Sequence, residues 1–138
     1  MESGAESRGR ILVVDDEIGM CEFLEFMLRD EGYEVESAHS GQEALEKLAE
    51  KDYSLILADI KMPGMDGLEM LRRIREIDSD AVVIVMTAYA SLDTAVKAIK
   101  YNAYDYLVKP FDDTDKVLTI IERGLQKRRE LMETRNGL

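Results

Sequence analysis

Four apolar runs in this sequence each stop on a residue that can do chemistry. Ile11–Val14 ends in Asp15-Asp16-Glu17, Tyr53–Ala58 in Asp59, Ala81–Met86 in Thr87, and Asp105–Val108 in Lys109. Brought together, the acids Asp15, Asp16 and Asp59 would raise one another's pKa and strain the fold unless a cation neutralised them. Hard carboxylate oxygens at that density suit Mg2+, which keeps several waters and takes one or two carboxylates together with phosphate oxygens. Lys109 adds a point charge fitted to a phosphate or acyl-phosphate oxygen, and Thr87 adds a hydroxyl donor. A nucleophilic carboxylate, a divalent cation and two charge-stabilising side chains are the parts needed for phosphoryl transfer to an aspartate. Positioning and electrostatics supply most of the rate in such a reaction. The sequence has no Walker-type phosphate loop, no paired-cysteine motif and no Ser/His/Asp arrangement to compete with this reading.

The same runs are the elements that must position these groups. Five short runs rich in β-branched residues recur: Ile11–Val14, Tyr33–Ser37, Tyr53–Ala58, Ala81–Met86 and Asp105–Val108. Three are almost continuously apolar, the pattern of strands buried on both faces of a parallel sheet. Helical patterns lie between them. Met20, Phe23, Leu24, Met27 and Leu28 match an i, i+3, i+4, i+7, i+8 stripe, which Gly32 ends. Ser40-Gly-Gln-Glu43 reads as a capping box before Ala44, Leu45 and Leu48. Asp66 opens a third helix carrying Leu71, Ile74 and Ile77. Ser91 opens a fourth with Leu92, Ala95, Val96 and Ile99, and Asp113 or a neighbour opens a fifth with Val117, Ile120 and Ile121. Five strands alternating with five helices predict right-handed βαβ crossovers and a doubly wound (βα)5 α/β sandwich, with helices on both faces of one parallel sheet. Ligands of such sheets bind beyond the carboxyl ends of the strands, where all four chemical positions fall.

The 138 residues fit one domain. Residues 1–9 read as a disordered tail, 10–127 as the folded domain and 128–138 as a helical extension or linker. A net charge of −11 argues against nucleic-acid binding by this domain, since phosphate contacts need a basic face. The apolar runs are too short to span a bilayer, and the polar N-terminus lacks the apolar segment of a secretory signal. With a single cysteine, Cys21, no internal disulfide is available, which fits a cytoplasmic location.

Taken with their order, ILVVDDE, ADIKMPGMDGLE around Asp59, VMTAYA around Thr87 and YDYLVKPF around Lys109 resemble the receiver domains of two-component response regulators, the CheY-like family. The resemblance covers roughly residues 9–127. It implies the sheet order 2-1-3-4-5, which general accounts of this fold also give for CheY. It further implies that Asp59 accepts a phosphoryl group from a sensor histidine kinase. Mg2+ would be bound by Asp16, by Asp15 through water, by Asp59 and by the backbone carbonyl of Lys61. Lys109 would contact the phosphoryl group, Thr87 would move to hydrogen-bond it, and Tyr106 would rotate inward behind Thr87. The Lys109-Pro110 bond would be cis. Lys61 and Tyr89 are the neighbours that would tune phosphoryl lifetime. A homodimer would form through the face of the fourth helix, fifth strand and fifth helix, or through the C-terminal helix. The stretch from Thr87 to Tyr106 resembles the nitrogen-regulation class, whose receivers precede an ATPase and a DNA-binding domain in sigma-54-dependent activators. A stand-alone regulator is the alternative.

Plainer readings stand beside these. His39 and Cys21 each read as residues without a chemical role. Leu118, Leu125 and Met132 repeat every seven residues, so the fifth helix either frays beyond Lys127 or continues into a dimerising linker. A magnesium-dependent phosphatase with an aspartyl-phosphate intermediate is a competing enzyme class. Its family carries Asp-x-Asp at the nucleophile, whereas this chain has Asp59-Ile60-Lys61. A flavodoxin-like binding module would need a Ser/Thr-rich phosphate loop after the first strand, and none is present.

Overall fold

Each predicted strand forms, and the reason is visible in how its side chains divide. In a computed structural model, residues 8–88 and 92–136 are described, Leu92 by its backbone alone. The strands are β1 (Arg10–Val14), β2 (Glu34–Ala38), β3 (Leu55–Asp59), β4 (Val83–Ala88) and β5 (Asp105–Lys109). They alternate with α1 (Ile18–Asp30), α2 (Gly41–Glu50), α3 (Gly67–Ile77), α4 (Leu92–Lys100) and α5 (Thr114–Arg135). All strand pairs are parallel, in the order β2-β1-β3-β4-β5. This is the CheY-like (βα)5 arrangement that the resemblance implied.

Successive strand residues point to opposite faces, and both faces are covered. Leu12, Val14, Ile56, Ala58, Val83 and Val85 pack beneath α2, α3 and α4. Ile11, Val13, Leu55, Leu57, Ile84 and Met86 pack beneath α1 and α5. A strand in that position has no polar face to show, hence the unbroken apolar runs.

The helix starts follow local hydrogen bonding. Ser40 Oγ accepts from the Glu43 N–H at 3.1 Å, and a Glu43 carboxylate oxygen accepts from the His39 N–H at 2.7 Å. The capping box therefore closes one residue earlier than its sequence pattern implies. Asp66 accepts from the Leu68 N–H and Asp113 from the Lys116 N–H. The cap predicted at Ser91 lies outside the described residues. Gly67 has no room for a side chain, because an added Cβ would lie 2.6 Å from the Ile60 carbonyl oxygen.

Three helices differ from their sequence pattern. The buried stripe of α1 is Cys21, Leu24 and Leu28, while Phe23 is 41% exposed. The helix is rolled so that the smaller Cys21 tucks under the sheet. Ile77, near the end of α3, is exposed. On α4 only Ala95 and Ala98 are buried among the described side chains, and Val96 and Ile99 face solvent. The small alanines let α4 lie close to the sheet. Finally, α5 runs without a break past Lys127 to Arg135, and Leu125 of the seven-residue repeat is buried in the core of the domain itself.

Candidate functional site

The chain's polar strand ends converge at one edge of the sheet. Asp15 follows β1 directly and is fully buried. Asp59 closes β3 and is 6% exposed, Thr87 lies within β4 and is buried, and Lys109 closes β5. The Lys109 ammonium reaches three carboxylates: Asp15 Oδ2 at 2.7 Å, Asp59 Oδ2 at 3.0 Å and Glu17 Oε1 at 3.3 Å. Backbone donors fix the other oxygens. The Lys61 N–H donates to Asp59 Oδ1 at 2.8 Å, and the Glu17 N–H donates to Asp15 Oδ1 at 3.0 Å. Each aspartate is thereby oriented by its own following loop.

One cation shared among three acids leaves an imbalance. Burial pushes the Asp59 carboxyl above its ordinary range; the Lys61 N–H and the Lys109 ammonium oppose this, and the charge of Asp15 adds to it. Burial pulls the Lys109 ammonium down, but its hydrogen bonds and attractions to Asp15 and Asp59 outweigh that and leave it raised. The lysine collects the attraction of every acid, while each acid receives only a share of one lysine. The site is thus short of positive charge.

A divalent cation fits that deficit. Carboxylate oxygens of Asp15, Glu17 and Asp59 lie within 4.8 Å of one another, and an all-oxygen donor set of hard carboxylates is the kind Mg2+ accepts. Asp16, expected from sequence among these acids, is exposed and lies outside this cluster, whereas Glu17, exposed as well, stands in it. The signal for Glu17 was the third acid of the run after β1. Thr87 Oγ1 donates to the Ala88 carbonyl at 3.1 Å, a bond within its own strand. Tyr106, on β5, is 37% exposed. The Lys109-Pro110 peptide is cis. Tyr89 lies outside the described residues.

Two residues read as plain from sequence turn out to be neighbours here. The Cys21 thiol donates to the Asp15 carbonyl at 3.4 Å, and His39 Nδ1 lies 3.3 Å from the same oxygen. Burial is the main cause of a raised thiol pKa at Cys21, which favours the thiol over the nucleophilic thiolate. Only the fold brings them together, because they sit on different elements.

Comparison with known proteins shows the family and agrees with the fold. Residues 11–122 match the family model described as the response regulator receiver domain. The chain is 49% identical over 112 residues to the transcriptional regulatory protein ZraR of Klebsiella oxytoca, a match covering 81% of this chain and 25% of that protein. It is 41% identical over 129 residues to the DNA-binding transcriptional regulator NtrC of Escherichia coli K12, covering 94% and 27% respectively. A solved response regulator receiver domain protein of Clostridium thermocellum superposes with a TM-score of 0.83 at 32% identity, covering 88% of this chain and 98% of that one. The chain spans about a quarter of the length of the curated relatives it matches. Among the described residues, no helix is long and apolar enough to cross a membrane.

Proposed function

The chain belongs to the response regulator receiver domain family, and from that premise we propose that it is a phosphorylation switch written on Asp59. The reading rests on one observation: Asp59 is a buried carboxylate whose Oδ2 is held 3.0 Å from the Lys109 ammonium, beside a second buried acid, Asp15. An Asp59 oxygen attacks the phosphorus of a phosphohistidine on a sensor histidine kinase. The new O–P bond forms as the P–N bond breaks, and the imidazole leaves with a proton from solvent. Lys109 passes from Asp59 Oδ2 to an oxygen of the transferred group, and the Lys61 N–H keeps the acceptor carboxyl oriented.

Mg2+ would be held by Asp15, Asp16, Asp59 and the Lys61 carbonyl, with Glu17 adjacent. When bound it supplies positive charge to the oxygens of the transferred phosphoryl group. The domain catalyses only its own phosphorylation and dephosphorylation.

The output is a change of surface. Thr87 would leave the Ala88 carbonyl for a phosphoryl oxygen, and Tyr106 would follow inward into the space behind it. Val96, Ile99, Tyr101, Tyr104 and Tyr106 are all exposed on α4, β5 and the turn between them. That apolar face would carry homodimerisation or partner binding. Likeness to ZraR and NtrC supports a cytoplasmic role in sigma-54-dependent control of transcription, in which this domain would be the phosphorylated input.

The test is incubation with Mg2+ and acetyl phosphate followed by intact mass measurement. We expect an acid-labile adduct of one phosphoryl group that is absent from Asp59→Asn. No adduct, or one that persists in the variant, overturns the proposal. Steady turnover of a phosphomonoester would move the assignment to the phosphatase class.

A further inference from the structure

The second half of α5 does not behave as a free linker. Arg128 is 7% exposed, and its Nη1 lies 2.8 Å from Asp78 Oδ2 and donates to the Asp80 carbonyl at 2.8 Å. Two turns later, on the same side of the helix, Arg135 Nη2 lies 2.6 Å from Asp80 Oδ2 and 3.4 Å from Asp78 Oδ1. Between them Leu131 packs against the core layer under α1 and α5. Both aspartates belong to the short turn between α3 and β4. The receiving turn is already ordered, because the Asp80 N–H donates to Asp78 Oδ1 at 3.0 Å.

Burying a guanidinium costs several kcal/mol unless it is paired and hydrogen-bonded, so a position like that of Arg128 is specific. The same α3–β4 turn is held from its other side. Arg75 of α3 donates to the carbonyls of Ser79, Ala81 and Asn102, the last lying in the turn between α4 and β5. One turn therefore joins the end of α4 to the end of α5.

We propose that Arg128 and Arg135, clasped by Asp78 and Asp80, form a latch that fixes the last two turns of α5 on the domain as a rigid lever. The latch sets the direction in which the helix leaves the domain. The proposal does not depend on phosphorylation of Asp59.

Hydrogen–deuterium exchange on the whole protein tests it. Amides of residues 128–135 should be protected in the wild type. They should exchange about three- to fivefold faster in Arg135→Met and at least about tenfold faster in Arg128→Met, with β1 and β3 unchanged. Arg135 is exposed, so its variant reads the latch even if loss of the buried Arg128 disturbs folding. Exchanging the charges, Asp80→Arg with Arg135→Asp, should restore part of the protection. A wild-type tail that exchanges like unprotected peptide, or an Arg135→Met tail within about twofold of wild type, overturns the latch.

Discussion

Lys109 and Asp15 stand 94 positions apart in sequence, and the lysine Nζ lies 2.7 Å from a carboxylate oxygen of the aspartate. Asp15 is fully buried, so this ammonium is its principal counter-charge, and the same ammonium serves Asp59. The contact ties β1 to β5 across the whole width of the site.

Replacing Lys109 with methionine leaves two buried carboxylates facing each other. We expect Lys109→Met to lose about 3 kcal/mol at neutral pH, as for other buried pairs stripped of one partner. The Asp59 carboxyl is already raised with the lysine present, and its removal raises it further. For an acid with a raised folded-state pKa, the penalty exists above that pKa and disappears as protonation relieves it. The gap between variant and wild type should therefore narrow as pH falls into the carboxylate range. Urea unfolding at several pH values measures this, and added Mg2+ should restore more stability to the variant than to the wild type.

Gly67 begins α3 where that helix passes the end of β3. A Cβ there would lie 2.6 Å from the Ile60 carbonyl oxygen and 2.7 Å from Ile60 Cα, neither of which can swing aside. We expect Gly67→Ala to cost about 1–3 kcal/mol, in the range of other overpacked sites. It should also slow adduct formation on Asp59, because Ile60 directly follows the acceptor. Denaturation midpoints and the rate of the acetyl phosphate reaction read the two effects separately.

Glu36 supports the opposite side of the molecule. Its carboxylate accepts from the Lys51 ammonium at 2.6 Å and from the Tyr53 hydroxyl at 2.8 Å. The Lys51 hydrogen bond is the main cause of a pKa held below 4.5, with Tyr53 adding to it and partial burial opposing. A depressed acid contributes stability above its unfolded pKa and loses it as pH falls through the folded one. Glu36→Gln should thus be about 1 kcal/mol less stable than wild type near neutrality, with the difference fading below pH 4.5. Equal midpoint shifts at both ends of that range would contradict it.

Thr87 is buried with its hydroxyl on the Ala88 carbonyl. We expect Thr87→Ala to fold within about 1 kcal/mol of wild type and still to form the adduct on Asp59. The accompanying change around Tyr106 should be lost. Mass spectrometry reads the first outcome and NMR of the tyrosine rings the second; a Tyr106 response that survives would separate it from Thr87.

The strands, and the meeting of Asp15, Asp59 and Lys109 at their ends, were legible in the sequence for one physical reason. A parallel strand covered on both faces reads as an unbroken apolar run, so a polar residue that stops it stands out, as Asp59 does after Leu55–Ala58. Helix facing was less legible. Whether Cys21 or Phe23 turns inward depends on the roll of α1 against the sheet, and their spacing in sequence leaves that roll open. The α4 pattern misled for a related reason, since large Val96 and Ile99 outweigh Ala95 and Ala98 in a hydrophobic stripe although the alanines are the packed residues. The burial and pairing of Arg128 were not legible. A basic residue late in a helix reads as solvated, and its acceptor at Asp80 is 48 positions away.

The alanine face of α4 also bears on the order in which the molecule opens. A buried leucine or isoleucine holds its helix with about 1.5–3 kcal/mol, whereas an alanine methyl contributes less than about 1 kcal/mol. Helix α3 is anchored by Met70, Leu71 and Ile74, and α5 by Val117, Ile120, Ile121 and Leu125, while the described anchors of α4 are Ala95 and Ala98. Sub-global fluctuations will accordingly begin at α4, with the sheet and the other four helices still folded beneath it. Among the described side chains, the thinnest helix anchoring thus lies on the face that carries the exposed tyrosines.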